Sequence, residues 1–92
     1  MIPQETIDKI FEAARVEEVI GDFVNLKKTG VNYKGRCPFH DEKTPSFVVS
    51  PTKGIYKCFG CGKGGNSIMF IQDIQGASYP EALRYVAEKY HI

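Results

Sequence analysis

Three cysteines and one histidine carry the most chemically specific spacing in this 92-residue sequence: Cys37-Pro38-Phe39-His40, then seventeen residues, then Cys58-Phe59-Gly60-Cys61. Two-residue spacing lets a tight turn aim two side chains at one ion, and two such turns complete a tetrahedron of three thiolates and an imidazole. Pro38 stiffens the first knuckle, and Gly60 and Gly62 give the second the backbone freedom a tight turn requires. The pattern is that of a zinc ribbon holding one structural, four-coordinate Zn²⁺. Three thiolates nearly balance a divalent cation, so the neighbouring lysines stay free to face outward.

Other uses of these cysteines fit less well. A redox Cys-x-x-Cys belongs at a strand–helix junction, whereas Cys58 and Cys61 follow a strand of a hairpin. A catalytic zinc keeps one position open for water, and four good ligands leave none. Iron–sulfur ligation with one histidine has no flanking pattern to favour it. Three cysteines are an odd number for a disulfide scaffold, and the polar N-terminus (Met-Ile-Pro-Gln-Glu) lacks the basic-then-apolar order of a secretion signal. His91 stands alone near the end and is expected in solvent.

Elements must bring the two knuckles together. Ser46–Ser50 and Ile55–Cys58 are strand-like and flank Pro51-Thr52-Lys53-Gly54, a hairpin with turn residues at its tip. A second hairpin is expected from Phe23–Leu26 and Val31–Lys34 around Lys27-Lys28-Thr29-Gly30. Together they predict a small antiparallel sheet of four or five strands over about 23–58. Ile7, Ile10, Phe11 and Ala14 follow the helical period behind Pro3, and a second short helical stretch, about Val16–Ile20, stops at Gly21. Asn66 is a good N-cap for a helix over about 66–75 with Ile68, Phe70, Ile71 and Ile74 on its apolar stripe. Ser78-Tyr79-Pro80-Glu81 is a capping box for a last helix over about 79–90, bearing Leu83, Val86, Ala87 and Tyr90. The expected fold is therefore α+β: one zinc-ribbon domain over 1–92, with helices before (about 3–20) and after the sheet. Ile92 carries no cap signal, as at a boundary with a following domain or in a truncated chain.

At 42% hydrophobic and 25% charged, the composition is that of an ordinary globule. No apolar stretch approaches the roughly 20 residues of a membrane-spanning helix. The net charge of +1 conceals an asymmetry. Residues 1–22 set Lys9 and Arg15 against six acids, whereas residues 23–70 set eight cations against only Asp41 and Glu42. A basic centre with an aromatic every few residues is the composition of a single-stranded nucleic-acid surface, or else of a solvated face over core aromatics. A core this small leaves the Gly- and Lys-rich middle dependent on the metal, because ribbon-type zinc contributes about 10–16 kcal/mol of apparent folding free energy in small peptides.

The stretches Cys37-Pro38-Phe39-His40-Asp41-Glu42-Lys43-Thr44-Pro45-Ser46-Phe47 and Tyr56-Lys57-Cys58-Phe59-Gly60-Cys61-Gly62-Lys63-Gly64-Gly65 resemble the N-terminal zinc-binding domain of bacterial DNA primases of the DnaG type. The resemblance covers essentially the whole chain; Asn66 stands where an Asp is commoner, and either caps a helix. It implies zinc ligands at Cys37, His40, Cys58 and Cys61, and a role in recognising single-stranded DNA template where RNA primer synthesis starts. It also implies that the nucleotidyltransferase centre lies in a following polymerase domain, so that this chain itself is not an enzyme. The partners implied are the template, the polymerase domain of the same or a neighbouring chain, and the replicative helicase only through parts not present. A monomer in the bacterial cytoplasm, away from membranes, is expected.

Cations that track phosphates and rings that stack on bases would serve that role. The candidates are Lys34, Arg36, Lys43, Lys53, Tyr56, Lys57 and Lys63. Strand alternation sets Lys57 on the opposite face from Tyr56 and Cys58, so Tyr56 and Lys57 cannot share one binding face of a regular strand. Phe47, Phe59 and Tyr33 are assigned to core or knuckle packing. Gly64-Gly65-Asn66 reads as a helix start that could also hold a phosphate. The alternative function is a zinc-ribbon interaction module that docks on a polymerase or other partner without touching nucleic acid.

Overall fold

The computed structural model describes residues 2–39 and 46–92. In chain order the elements are α1 (Gln4–Ala13), α2 (Val16–Gly21), β1 (Lys27–Thr29), β2 (Asn32–Gly35), β3 (Phe47–Ser50), β4 (Ile55–Cys58), β5 (Gly64–Gly65), α3 (Ser67–Gln75) and α4 (Tyr79–Lys89). The five strands form one antiparallel sheet in sequence order, β1-β2-β3-β4-β5. The α+β class, the small sheet and the flanking helices are as the residue patterns predict.

Alternation divides the sheet into two faces. Phe47, Val49, Tyr56 and Cys58 point inward and are buried against Phe70 and Ile71 of α3 and Val19 and Ile20 of α2. Phe39, Phe47, Tyr56 and Phe70 form one aromatic cluster, with Phe47 and Tyr56 stacked at 5.4 Å between centroids and Phe70 edge-on to Tyr56 at 5.4 Å. The inner face is thus filled by rings rather than by aliphatics. Lys34, Val48 and Lys57 point the other way, toward solvent.

The first hairpin differs from expectation. Phe23–Leu26 is not a strand; β1 begins at Lys27, and the turn is Gly30-Val31, with Thr29 opposite Asn32. The reason is tertiary. The N–H groups of Phe23 and Val24 both bond to the Ile20 carbonyl at 2.9 Å, closing the end of α2. That places the Phe23 ring beside Phe70 and Tyr85 and buries Val24 in the core. Gly64 and Gly65, read as a helix start, instead form β5 against β4. A Cβ at Gly64 would lie 2.9 Å from the Tyr56 carbonyl oxygen, so only glycine lets this edge approach.

The helix caps follow the sequence. Asn66 Oδ1 accepts the Met69 N–H at 2.8 Å, and the Ser78–Glu81 capping box is complete in both directions. α4 is tied back to the first helices at its C-terminal end. Lys89 Nζ lies 2.7 Å from Asp22 Oδ2, while the Tyr90 hydroxyl donates to Glu18 Oε1 at 2.7 Å and accepts the Arg15 N–H at 3.1 Å. Of the α1 stripe, Ile10 is buried and Phe11 is exposed, because α1 leans on α4 along a narrow contact. No helix among the described residues is long and apolar enough to cross a membrane.

Candidate metal centre and nucleic-acid interface

The register brings the cysteines to one end of the sheet. Gly35 pairs with Phe47 and Phe47 with Cys58, so the last residues of β2 and β4 flank the first of β3. Cys37 lies two residues beyond β2, and Cys61 returns through a turn in which Gly62 N–H bonds to the Cys58 carbonyl and Cys58 N–H to the Lys63 carbonyl, both at 2.8 Å. The three sulfurs lie within 4.8 Å of one another, and Cys37 Sγ is 3.8 Å from Cys61 Sγ. A tetrahedral zinc with bonds of about 2.3 Å needs thiolates about 3.8 Å apart along each edge. His40, expected as the fourth ligand, lies outside the described residues.

The electrostatics suit a cation. Burial pushes the Cys37 thiol up to about 12 against the lowering pull of the Phe39 N–H. Burial opposes charge on Cys58 as well, yet the N–H groups of Cys61 and Gly60 and the hydrogen bond from Cys37 bring that thiol down to about 7. The protein's own donors therefore stabilise one negative charge in this nest. Holding the neighbouring sulfurs as thiolates too requires a positive ion among them, and this donor set is the one a soft, tetrahedral divalent metal takes.

The expected nucleic-acid residues separate into groups. Lys34 and Lys57 stand on the outer face in one cross-strand row, where Lys27 opposes Lys34, Lys34 opposes Val48, and Val48 opposes Lys57. Arg36 joins Lys27 and Lys34 around a shallow basin of 750 Å³, and Lys53 shares a second concavity of 490 Å³ with Lys57. Lys43 lies outside the described residues. Lys63 turns to the protein: its ammonium lies 3.9 Å from Asp73 Oδ2 and 4.9 Å from the centroid of the Phe39 ring, linking the two knuckles to α3.

Tyr56 is a correction. Its ring is 1% exposed, packed among Phe39, Phe47 and Phe70, and its hydroxyl donates to Asp73 Oδ2 at 3.5 Å. Burial and the Asp73 carboxylate hold that hydroxyl protonated far above its ordinary range. It offers no face to a base. Phe59 is the converse correction: assigned to packing, it is 70% exposed, with Lys57 Nζ 5.8 Å from its centroid. Cys58 points inward from the end of β4, so its neighbour must point out. Lys27 was missed altogether, because it was placed in a turn; siting the turn at Gly30-Val31 would have revealed it. Phe47 is core, as expected, and Tyr33 is partly buried against that core.

Comparison with known proteins agrees with this geometry. The profile of the CHC2 zinc-finger family, the zinc ribbon of DnaG, matches residues 2–92. The chain is 48% identical over 91 residues to a DNA primase of Enterococcus faecalis, an alignment covering 99% of this chain and 14% of that protein. It is 53% identical over 88 residues to a DNA primase of Geobacillus stearothermophilus, covering 96% and 15% respectively. It also superposes on the crystal structure of the zinc-binding and RNA polymerase domains of Aquifex aeolicus primase with a TM-score of 0.88 and 45% identity, over 94% of this chain and 21% of that one. The chain thus spans about one-seventh of the length of these curated relatives.

Proposed function

The chain belongs to the CHC2 zinc-finger family of the DnaG primases, and on that premise we propose that it is a template-holding module, binding single-stranded DNA where primer synthesis begins. One Zn²⁺, held by Cys37, Cys58, Cys61 and His40, joins the two knuckles; when bound it supplies positive charge for the clustered thiolates. The ion does no chemistry on substrate. Nucleotide joining belongs to a polymerase domain of the same or a neighbouring chain, and the whole assembly works on cytoplasmic DNA.

The observation that carries this reading is the row Lys27–Lys34–Val48–Lys57 across the open face of the sheet. Like charges directly opposite on adjacent strands destabilise a sheet. Among the described residues no carboxylate forms an ion pair with Lys27, Lys34, Arg36 or Lys57. A polyanion lying across the strands relieves that repulsion.

With about four phosphates neutralised, log affinity should fall against log salt with a slope near −3, so fourfold more salt weakens binding roughly fiftyfold. Titration of a fluorescent single-stranded oligonucleotide at several salt concentrations measures this. Lys34→Glu and Lys57→Glu should each weaken binding and flatten the slope. Undiminished priming by these variants in a chain that carries the polymerase domain would instead favour a module that docks on protein alone.

A further inference from the structure

The outer face carries a feature that the row of cations does not use. A concavity of 490 Å³ opens beside Lys57, walled by Val31, Ile55 and Phe59 and offering the polar side chains of Asn32, Ser50 and Thr52. Val31 is 74% exposed, Ile55 42% and Phe59 70%. Three large apolar side chains left in water around one hollow are costly unless something covers them. The volume lies within the range of about 300–1,000 Å³ that encloses small ligands.

Charge identifies the occupant. Lys53 and Lys57 stand at the rim, and Lys57 already lies over the Phe59 ring. No described acidic residue lines this hollow. An apolar protein surface would meet uncompensated ammonium groups here. A nucleotide meets both needs, because its base is flat and uncharged on its faces and its phosphate is anionic.

We propose that this groove seats one unpaired base of the bound strand, stacked on Phe59, while Lys53 and Lys57 hold the flanking phosphates. The proposal rests on the template-holding reading above and adds to it a place where a base, and not only the backbone, is sensed.

The test compares two 12-nucleotide probes at low salt, oligo-dT and an oligomer of abasic sites with the same number of phosphates, against the full chain loaded with Zn²⁺. The wild-type chain should prefer oligo-dT by about tenfold, the lower part of what one stacked base contributes. Phe59→Ala should abolish that preference while leaving affinity for the abasic probe unchanged, and Phe59→Tyr should restore it. Because Phe59 adjoins Cys58, Ile55→Ala, on β4 away from the knuckle, provides an independent check and should lower the preference by about threefold. Equal wild-type affinity for both probes would overturn the base seat and leave the template-holding reading standing. So would a preference that survives both Phe59→Ala and Ile55→Ala. Failure to bind either probe would overturn both.

Discussion

Among single residues, Tyr56 and Phe59 exchange the roles that their types suggest. Both are aromatic, both lie close to Cys58, and both sit in a basic stretch. One period-2 alternation separates them: position 56 shares the inner face with Cys58, and position 59 has turned outward. Tyr56→Ala should therefore cost about 3–5 kcal/mol of stability, as loss of a buried aromatic does. Tyr56→Phe should leave oligonucleotide affinity unchanged and the fold nearly so, since the bond from its hydroxyl to Asp73 is long, at 3.5 Å. Thermal melts and anisotropy titrations of the two variants check both statements. The convergence of Cys37, Cys58 and Cys61 was legible from spacing alone, because a tight turn aims two side chains at one point, while His40 lies outside the described residues. The placements of Lys27, Lys63 and Phe59 were not legible, because each depends on which strand or helix stands opposite.

Helices and strands were legible in different degrees. α3 and α4 carry their own start signals, Asn66 and the Ser78–Glu81 box, and both lie as the sequence predicts to within a residue or two. β1 was misplaced because Phe23 and Val24 have strand-forming side chains, yet their N–H groups close α2, Val24 enters the core and the Phe23 ring lies against Phe70 at its edge. β5 was invisible, since two glycines have no β-propensity and pair only because their missing side chains allow close approach. The α4 cap makes a pH prediction. The Ser78 backbone N–H bonded to its carboxylate holds Glu81 below its ordinary value of 4.5. A depressed carboxylate adds stability above its unfolded pKa and loses it as pH falls through the lowered one. The difference in melting temperature between the wild-type chain and Glu81→Gln should thus be present at neutral pH and close progressively below about pH 4.5. A difference independent of pH would remove Glu81's charge from the account. Ser78→Ala, which deletes the other half of the box, should cost about 1 kcal/mol.

At the scale of the whole molecule, helices cover one face of the sheet, three cysteines gather at one end, and among the described residues the other face is left open and cationic. The asymmetry of charge along the chain becomes an asymmetry in space. The acids of residues 1–22 lie on or beside the first helices, where Asp22 and Glu18 engage Lys89 and Tyr90, while Lys27, Lys28, Lys34 and Lys57 of the middle lie on the strands. The inner aromatic cluster contributes stability that composition alone did not reveal, so the proposed metal need not hold the sheet alone. Among the described residues the first knuckle meets the second through Cys37 beside Cys61 and through Lys63 over the Phe39 ring, and a metal on the three clustered cysteines, as proposed above, would fix that relation.

Thermal unfolding of the purified chain, with its zinc content determined before and after excess chelator, tests that role most directly. The account predicts one zinc per chain and a large fall in midpoint on its removal, since even about 4 kcal/mol corresponds to about 16–32 °C in a domain of this size. A chain that holds no metal as purified, or melts at the same temperature with and without chelator, would contradict it.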